Sequence, residues 1–193
     1  MKYCNNYIIN PETIAILPEF QIEGAQSQII EVDRIFFAAP TPTEIIEESL
    51  LHYGSDLKGA RKSTAYHLGS VHRPPLMISS ELSIYFYTSE AISKTDNVWF
   101  SVFHTKRMDK CRGGKTMVHF NNDLSLEVPV SYHSLNNNYL RGLHLKKIKD
   151  EVIQKRNCNH SVDHFYPIQP GEVQMVREGN GLTYSIRSKQ GAY

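Results

Sequence analysis

The first 130 residues of this chain contain short apolar runs separated by turn residues, and this spacing limits what the chain can fold into. The runs are four to seven residues long, rich in aromatic and β-branched side chains, and bounded by Pro, Gly, Asn or Asp. Runs of this length are too short for most helices and are typical of strands. We predict strands at 13–18, 28–32, 35–38, 84–87 and 98–104.

One pair of strands can be aligned from the sequence alone, if Asn121-Asn122-Asp123 is a three-residue loop. The predicted pairs are Phe120 with Leu124, Val118 with Leu126, and Thr116 with Val128. This register places the apolar side chains on one face, whereas a two-residue turn would mix the two faces. The third loop position then requires a left-handed backbone, which Asp123 tolerates at some cost.

Two stretches have the features of helices. Residues 43–53 combine a possible N-cap, Thr43, with acidic residues in the first turns and with Gly54 to close the end. After residue 134, apolar residues recur at helical spacing and predict a helix over about 136–155, although Gly142 weakens the pattern. The predicted fold class is α+β, with a mainly antiparallel β-sheet core, these two helices and a partly ordered C-terminal tail.

Length and composition fit one main domain followed by a tail. The chain has 193 residues, of which 40% are hydrophobic and 21% are charged, as in ordinary globular proteins with a buried core. We predict a single β-rich domain over 1–156. Residues 157–193 are polar and glycine-rich, with short apolar patches near 165–166 and 182–186, and predict the tail.

The cellular compartment is predicted from what the sequence lacks. The three cysteines are far apart and odd in number, which indicates no disulfide framework and favours a reducing compartment. The N-terminus lacks the apolar core and cleavage site of a signal peptide, and no stretch approaches the length of a membrane-spanning helix. We therefore expect a cytoplasmic protein that does not associate with membranes.

The net charge of +1 hides an uneven distribution along the chain. Residues 1–60 hold three Lys or Arg against nine Asp or Glu, residues 61–120 hold nine against four, and residues 121–193 hold nine against seven. Because phosphate binding depends on local charge, a nearly neutral chain can still carry a basic face. The alternative that these are ordinary solvated surface charges stays open.

Sequence motifs for catalysis or metal binding are weak. Arg112-Gly-Gly-Lys-Thr116 looks like the end of a phosphate-binding loop, but Asp109 stands where the first glycine is required and a strand pattern follows. Cys158, His160 and His164 are the nearest approach to a zinc set, yet a fourth ligand is far away. No hydrolase motif is present. We predict no catalytic residues, no metal site and no cofactor.

Two basic segments are candidates for contact with phosphate. Lys58-Gly-Ala-Arg-Lys62 joins small residues to two adjacent cations, and this composition predicts a flexible loop. A second segment has five cations within ten residues, after the strand that contains Trp99: Lys106, Arg107, Lys110, Arg112 and Lys115. Loops of this kind project charge from a sheet and suit a phosphate backbone. The alternative is that they only increase the solubility of a hairpin end.

A series of segments occurs in a specific order and spacing over about 130 residues. They are 13–19, 28–31, Tyr53-Gly-Ser55, Gly59, Arg61-Lys62, Tyr66, 72–78, Trp99, Ser101, His104, 126–132, Ser134, Asn137 and Arg141. In this order they resemble the competence transcription factor (ComK) family, from about Thr13 to Leu145. A looser similarity lies near Tyr166-Pro167.

The resemblance implies a transcription activator and not an enzyme. Members of the family bind AT-rich promoter boxes through the minor groove as oligomers and switch on genes for DNA uptake. The resemblance also implies destruction by a Clp protease through a MecA-type adaptor. Physical expectations agree, since a strand-rich chain without a clear helix-turn-helix has no obvious element for the major groove. Narrow A·T minor grooves, in turn, attract Arg and Lys.

The site residues are predicted from charge and position. The predicted DNA-binding residues are Lys58, Arg61, Lys62, Arg73, Lys106, Arg107, Lys110, Arg112, Lys115, Lys146 and Lys147. Among these we expect Arg61 and Arg73 in the minor groove and the lysines on the backbone. The predicted adaptor-binding residues are Phe165, Tyr166 and Pro167.

The expected partners are AT-rich double-stranded DNA, further copies of the chain in a homodimer or higher oligomer, and the adaptor. Two other classes of function remain open. One is a small β-rich regulatory or protein-binding domain without DNA affinity, which would show no salt-dependent binding to duplex. The other is an enzyme with dispersed catalytic residues, which would need a deep pocket with perturbed titratable groups.

Overall fold

A computed structural model describes residues 3–92, 94–158, 171–178 and 181–188 of the chain, with side chains described up to residue 152. The chain divides into two compact units, residues 1–153 and residues 154–193. The second unit contains an antiparallel hairpin of β10 (Gly171–Glu178) and β11 (Gly181–Ser188). This hairpin was not predicted, because residues 157–193 were assigned to a partly ordered tail.

Six antiparallel strands form the main sheet of the first unit. In order across the sheet they are β3 (Ile35–Ala38), β2 (Ser27–Glu31), β1 (Thr13–Pro18), β6 (Trp99–Ser101), β5 (Ile84–Thr88) and β4 (Leu76–Ser79). The predicted strands at 13–18, 35–38 and 84–87 are confirmed, and the strand predicted at 28–32 begins and ends one residue earlier. The α+β class with a mainly antiparallel core is confirmed as well.

Both faces of the main sheet are buried. Along β5, Ile84 and Phe86 pack into a cluster that includes residues of α1 (Pro42–His52) and α2 (Leu57–Leu68). Tyr85 and Tyr87 pack into a second cluster, with residues of the other sheet and of α3 (Tyr132–Cys158). A strand covered on both faces needs apolar residues at successive positions. The double coverage therefore explains why the apolar runs in the sequence do not alternate with polar residues.

The other sheet has three antiparallel strands, β7 (Thr105–Lys110), β8 (Thr116–Phe120) and β9 (Ser125–Val128). Thr116 pairs with Val128 and Val118 with Leu126, so the predicted hairpin register is confirmed. Asp123 has a φ of 62°, as the three-residue loop requires. The turn Arg112–Gly114 leads into β8 and not into a helix, which agrees with the rejection of a phosphate-binding loop.

Helix α1 begins at Pro42, one residue before the start of the predicted range 43–53. Thr41, not Thr43, is the N-cap, and it forms a capping box with Glu44, while Pro42 occupies the first helical position. Proline fits there because its missing N–H would have no helical partner. Gly54 closes the helix as expected: its N–H donates to the carbonyl of Leu51 at 3.0 Å, with a φ of 80°.

Residues 58–62 form part of α2, so the predicted flexible loop was wrong. Asp56 is the N-cap, and its carboxylate accepts from the N–H of Gly59 at 2.5 Å. Gly59 and Ala60 had suggested flexibility, but Gly59 lies in the first turn, where the cap satisfies its amide. Ala60 and Thr64 are buried against the sheet. A short loop, residues 53–56, therefore joins two consecutive helices.

The strand predicted at 98–104 was too long. Strand β6 ends at Ser101, and a turn at 102–104 leads directly into β7. Side chains hold this turn in place of glycine or proline: Thr105 Oγ1 donates to the carbonyl of Ser101 at 2.8 Å. His104 is buried, with Nε2 2.8 Å from the carbonyl oxygen of Pro11. The turn leaves no mark in the apolar pattern, because its first two residues are Val and Phe.

Helix α3 is longer than predicted at both ends. Leu135 and Leu145 are buried in the cluster between the two sheets, and Gly142 is buried as well. A Cβ atom at Gly142 would lie 2.6 Å from Val102 Cγ2. The glycine that weakened the helical pattern therefore allows a close approach between the helix and the β6–β7 turn.

Candidate nucleic-acid interface

Helix α2 presents three exposed cations on one face: Lys58, Arg61 and Lys62, called here the α2 basic face. Spacings of three and four residues place the three side chains side by side. Among the residues that the structure describes, none of the three has an acidic partner within ion-pair distance. Tyr66 continues the same face one turn further on and is 86% exposed.

A groove of about 500 Å³ runs beside the α2 basic face. Its other wall is the segment that follows the helix, with Ser70, Val71 and Pro74 in contact with the groove. The groove is open to solvent and combines an apolar floor with the cationic rim. Such a surface can hold an extended polyanion at its rim, since phosphates need charge and bases need apolar contact.

Helix α3 contacts α2 through Lys149. Lys149 Nζ donates to Ser63 Oγ at 3.0 Å. Partial burial lowers the pKa of Lys149 from its ordinary value. Burial, and secondarily the charge of Lys149, lower the pKa of His67. At neutral pH the positive charge of α2 therefore comes from its lysines and arginine and not from His67.

Most cations of the second predicted group, around β7 and β8, have acidic partners on the strands of the same sheet or in a connecting loop. Three of its cations form ion pairs: Lys106 with Asp123 at 3.4 Å, Arg107 with Asp109 at 2.5 Å, and Lys115 with Glu127 at 2.6 Å. Lys110 Nζ lies 5.5 Å from the ring centroid of Tyr132, and Arg112 is exposed in the turn before β8. Three of the five residues lie on β7, so the loop predicted for them was wrong.

Three further predicted residues have different surroundings. Arg73 is mostly buried, and its guanidinium pairs with Glu90 at 2.8 Å and donates to Ser134 Oγ at 2.9 Å. A contact of Arg73 with a DNA groove, as predicted, would require its guanidinium to leave these partners. Lys146 pairs with Asp150 at 2.6 Å, one turn along α3, whereas Lys147 is exposed.

The structure thus separates the predicted residues by their partners. Lys58, Arg61 and Lys62 come together without an internal acidic partner in the described part of the chain, while most of the β7–β8 group and Arg73 are engaged. Charge counts along the sequence could not separate them, because Asp123 in the β8–β9 loop lies 17 positions from Lys106, and Glu127 on β9 lies 12 positions from Lys115.

The predicted adaptor-binding residues and two histidines of the considered zinc set lie in parts of the chain that the structure does not describe. Phe165, Tyr166 and Pro167 lie outside the described residues, as do His160 and His164. No helix in the described part of the chain is both long and apolar enough to cross a membrane.

Comparison with known proteins identifies the family. The model of the ComK protein family matches residues 4–154. The competence transcription factor of Bacillus subtilis (strain 168) is 32% identical over 150 residues, which cover 76% of this chain and 77% of that protein. No solved structure matches the chain. The matched region contains both sheets, α1, α2 and most of α3, and the chain therefore belongs to the ComK family.

Proposed function

We propose that this protein is a cytoplasmic activator of competence transcription that binds AT-rich DNA through the minor groove as an oligomer, with the α2 basic face as its main contact. Membership of the ComK family and the similarity to the competence transcription factor of Bacillus subtilis support the regulatory part. The observation that carries the DNA contact is the set of three exposed cations on one helical face without acidic partners in the described chain.

Cations without an acidic partner gain the most binding free energy from contact with a phosphate. A cation already paired to a carboxylate must lose that partner before it can neutralise a phosphate, whereas an unpaired one releases only water and counterions. Lys58, Arg61 and Lys62 meet this condition and three of the β7–β8 cations do not. We therefore assign the larger share of binding to α2.

The width of the DNA minor groove limits how α2 can contact it. A helix with its side chains is about 10–12 Å wide, and the minor groove is about 6 Å wide. The helix body therefore lies across the two phosphate rows, with Lys58 and Lys62 on the backbone. Arg61 reaches inward, since its guanidinium is less strongly hydrated than an ammonium and suits the negative potential of a narrow A·T groove.

The test compares two triple variants that remove the same charge. Lys58→Ala/Arg61→Ala/Lys62→Ala leaves good helix formers in α2. The matched control is Lys106→Ala/Arg107→Ala/Lys115→Ala in the other group. Gel-shift titrations on AT-rich and GC-rich duplexes at two or more salt concentrations should show the larger loss of affinity in the α2 variant. The slope of log affinity against log salt should fall by about 0.9 for each lost phosphate contact.

Two results would count against the proposal. Equal losses in both variants would mean that binding depends on total charge and not on α2. Absence of salt-dependent duplex binding by the unaltered chain would favour the alternative, a β-rich regulatory domain that contacts protein and not DNA.

The oligomer and the adaptor are further parts of the proposal. Two linked copies on neighbouring sites bind more tightly than one, because the second contact is intramolecular. Sedimentation of the full chain should therefore give at least twice its monomer mass of 22.1 kDa.

Substitution of Phe165, Tyr166 and Pro167 by Ala should slow adaptor-dependent degradation by a Clp protease in a reconstituted reaction.

A further inference from the structure

A small polar pocket lies beside the segment 70–74, which also forms the outer wall of the α2 groove. Its volume is about 240 Å³. The lining residues are His72, Arg73, Ser134, Asn137, Asn138 and Arg141. Carboxylates are absent from this lining, while two guanidinium groups, an imidazole, two amides and a hydroxyl are present. The pocket is smaller than the roughly 300–1,000 Å³ typical of sites for drug-sized ligands, so it suits a single compact group.

Arg73 forms a fixed wall of the pocket. It has a φ of 58°, although it is not glycine and precedes Pro74. Its guanidinium is held by Glu90, by Ser134 Oγ and by the carbonyl of Ser89 at 3.2 Å, and its Nε is buried with no partner in the described chain. A left-handed residue before proline is an unfavourable conformation, and such strain is retained where the surroundings impose it.

The pocket has more hydrogen-bond donors available than acceptors. Ser134 Oγ accepts from Arg73, so its own proton can be donated elsewhere. Arg141 uses one Nη for the carbonyl of His72 at 3.0 Å and a long contact to Asn138, which leaves its other Nη and Nε available. The amide of Asn137 makes no hydrogen bond within the described part of the chain, whereas Asn138 Nδ2 is committed to the carbonyl of Thr88 at 2.9 Å.

A surplus of donors with uncompensated positive charge selects an anion. Glu90 neutralises Arg73, but Arg141 has no acidic partner among the described residues. Arginine presents several donors in a plane that matches the oxygens of a phosphate, and Ser and Asn add donors to the remaining oxygens. Helix α3 holds Ser134, Asn137 and Arg141, and Arg73 is fixed by Glu90 and Ser134, so the site exists before the ligand arrives.

We propose that this pocket binds a phosphate group, with Arg141, Asn137 and Ser134 as the donors. The phosphate can belong to a DNA strand or to a small phosphorylated molecule, because both offer the same oxygens. In the first case the inference rests on the proposed function and extends it. A strand on the α2 basic face would need only to cross the segment 70–74, which lines both the groove and the pocket.

The direct test is the binding of inorganic phosphate by the full chain. Calorimetry or shifts in the 31P or amide NMR signals measure this binding. The unaltered protein should bind phosphate saturably at low ionic strength. Asn137→Asp should weaken binding at least tenfold, since a carboxylate repels the anion and the amide it replaces makes no internal hydrogen bond. Arg141→Gln should have a similar effect. The matched control is Asn5→Asp, which introduces the same charge at an exposed asparagine outside every predicted site.

A second measurement, duplex affinity against salt with the same variants, identifies the source of the phosphate. A weaker affinity and a salt slope lower by about one unit for Asn137→Asp would assign the pocket to the DNA backbone. Loss of phosphate binding with unchanged DNA affinity would assign it to a small phosphorylated ligand. If phosphate binds but the unaltered chain does not bind DNA, the proposed function fails and the pocket stands. Equal phosphate affinity in the unaltered chain, Asn137→Asp and Asn5→Asp would overturn the inference.

Discussion

At Asp123 the backbone has a φ of 62°, a conformation that glycine adopts without steric cost. The side chain is 89% exposed and only its long contact of 3.4 Å to Lys106 would be lost on substitution. Such exposed pairs contribute little to stability. Asp123→Gly should therefore raise the free energy of unfolding by roughly 0.5–1 kcal/mol. Urea denaturation measures this difference, and Asp123→Ala, which keeps a Cβ, should give no gain.

Glu31 is a second residue whose surroundings decide a measurable property. Its carboxylate is fully buried and accepts from Tyr7 at 2.7 Å, from Asn10 at 2.9 Å and from Arg34 at 2.5 Å. Burial alone would raise its pKa, but the hydrogen bonds from Arg34, Asn10 and Tyr7 together lower the pKa below the ordinary 4.5. The charged form is therefore the form that the folded protein stabilises.

A lowered carboxyl pKa gives a stability term that is present above the ordinary value and is lost in acid. Glu31→Gln should cost about 1–3 kcal/mol at pH 7, because the new amide would point a donor at Arg34. This difference in unfolding free energy should shrink as the pH falls below 4.5. The carboxylates of Glu12 and Asp33 lie within 4.8 Å of Glu31. The exposed Glu12 is thus the control, and Glu12→Gln should change little at either pH.

At the scale of elements, a strand or helix was predicted accurately where nearby residues in the sequence determine it. The hairpin of β8 and β9 could be aligned to the residue, because turn and register are local and one face is buried. Helix α2 was missed because Gly59 in its first turn suggested a loop, although Asp56 is a residue type that favours the start of a helix. Strand β7 carries four charged residues in six and escapes a search for apolar runs.

The close contact of α3 with the β6–β7 turn makes Gly142 a test of packing between elements. Alanine is favoured over glycine by about 1 kcal/mol in an exposed helix, yet here its Cβ would lie 2.6 Å from Val102 Cγ2. Gly142→Ala should therefore destabilise by about 1–3 kcal/mol. Thermal unfolding of Val102→Ala/Gly142→Ala supplies the control, since the double variant should lose less than the sum of the two single changes. Strict additivity would mean that the contact is not tight.

At the scale of the molecule, the candidate interface could be predicted only in part. Positive charge in the middle third of the chain was evident from the sequence, but its division into paired and unpaired groups depends on strand and loop neighbours. The polar pocket could not be predicted from the sequence for a similar reason. Its residues come from a loop and from α3, some 60 positions apart, and polar residues that meet only in the fold leave no pattern in sequence.

How the whole molecule reads DNA decides whether α2 has been assigned to the correct groove. If α2 lies across the minor groove with Arg61 inside, replacing A·T by I·C pairs should leave affinity intact, because the minor-groove pattern is retained while the major-groove pattern changes. Distamycin, which fills A·T minor grooves, should displace the protein. Arg61→Lys keeps the charge but should reduce the preference for AT-rich duplex by on the order of 1 kcal/mol, the lower end of the effect of one mismatched base pair. Competition gel shifts measure all three. Loss of binding on I·C duplexes together with indifference to distamycin would instead place α2, the second of two helices joined by a short loop, in the major groove, whose width of about 12 Å admits a helix.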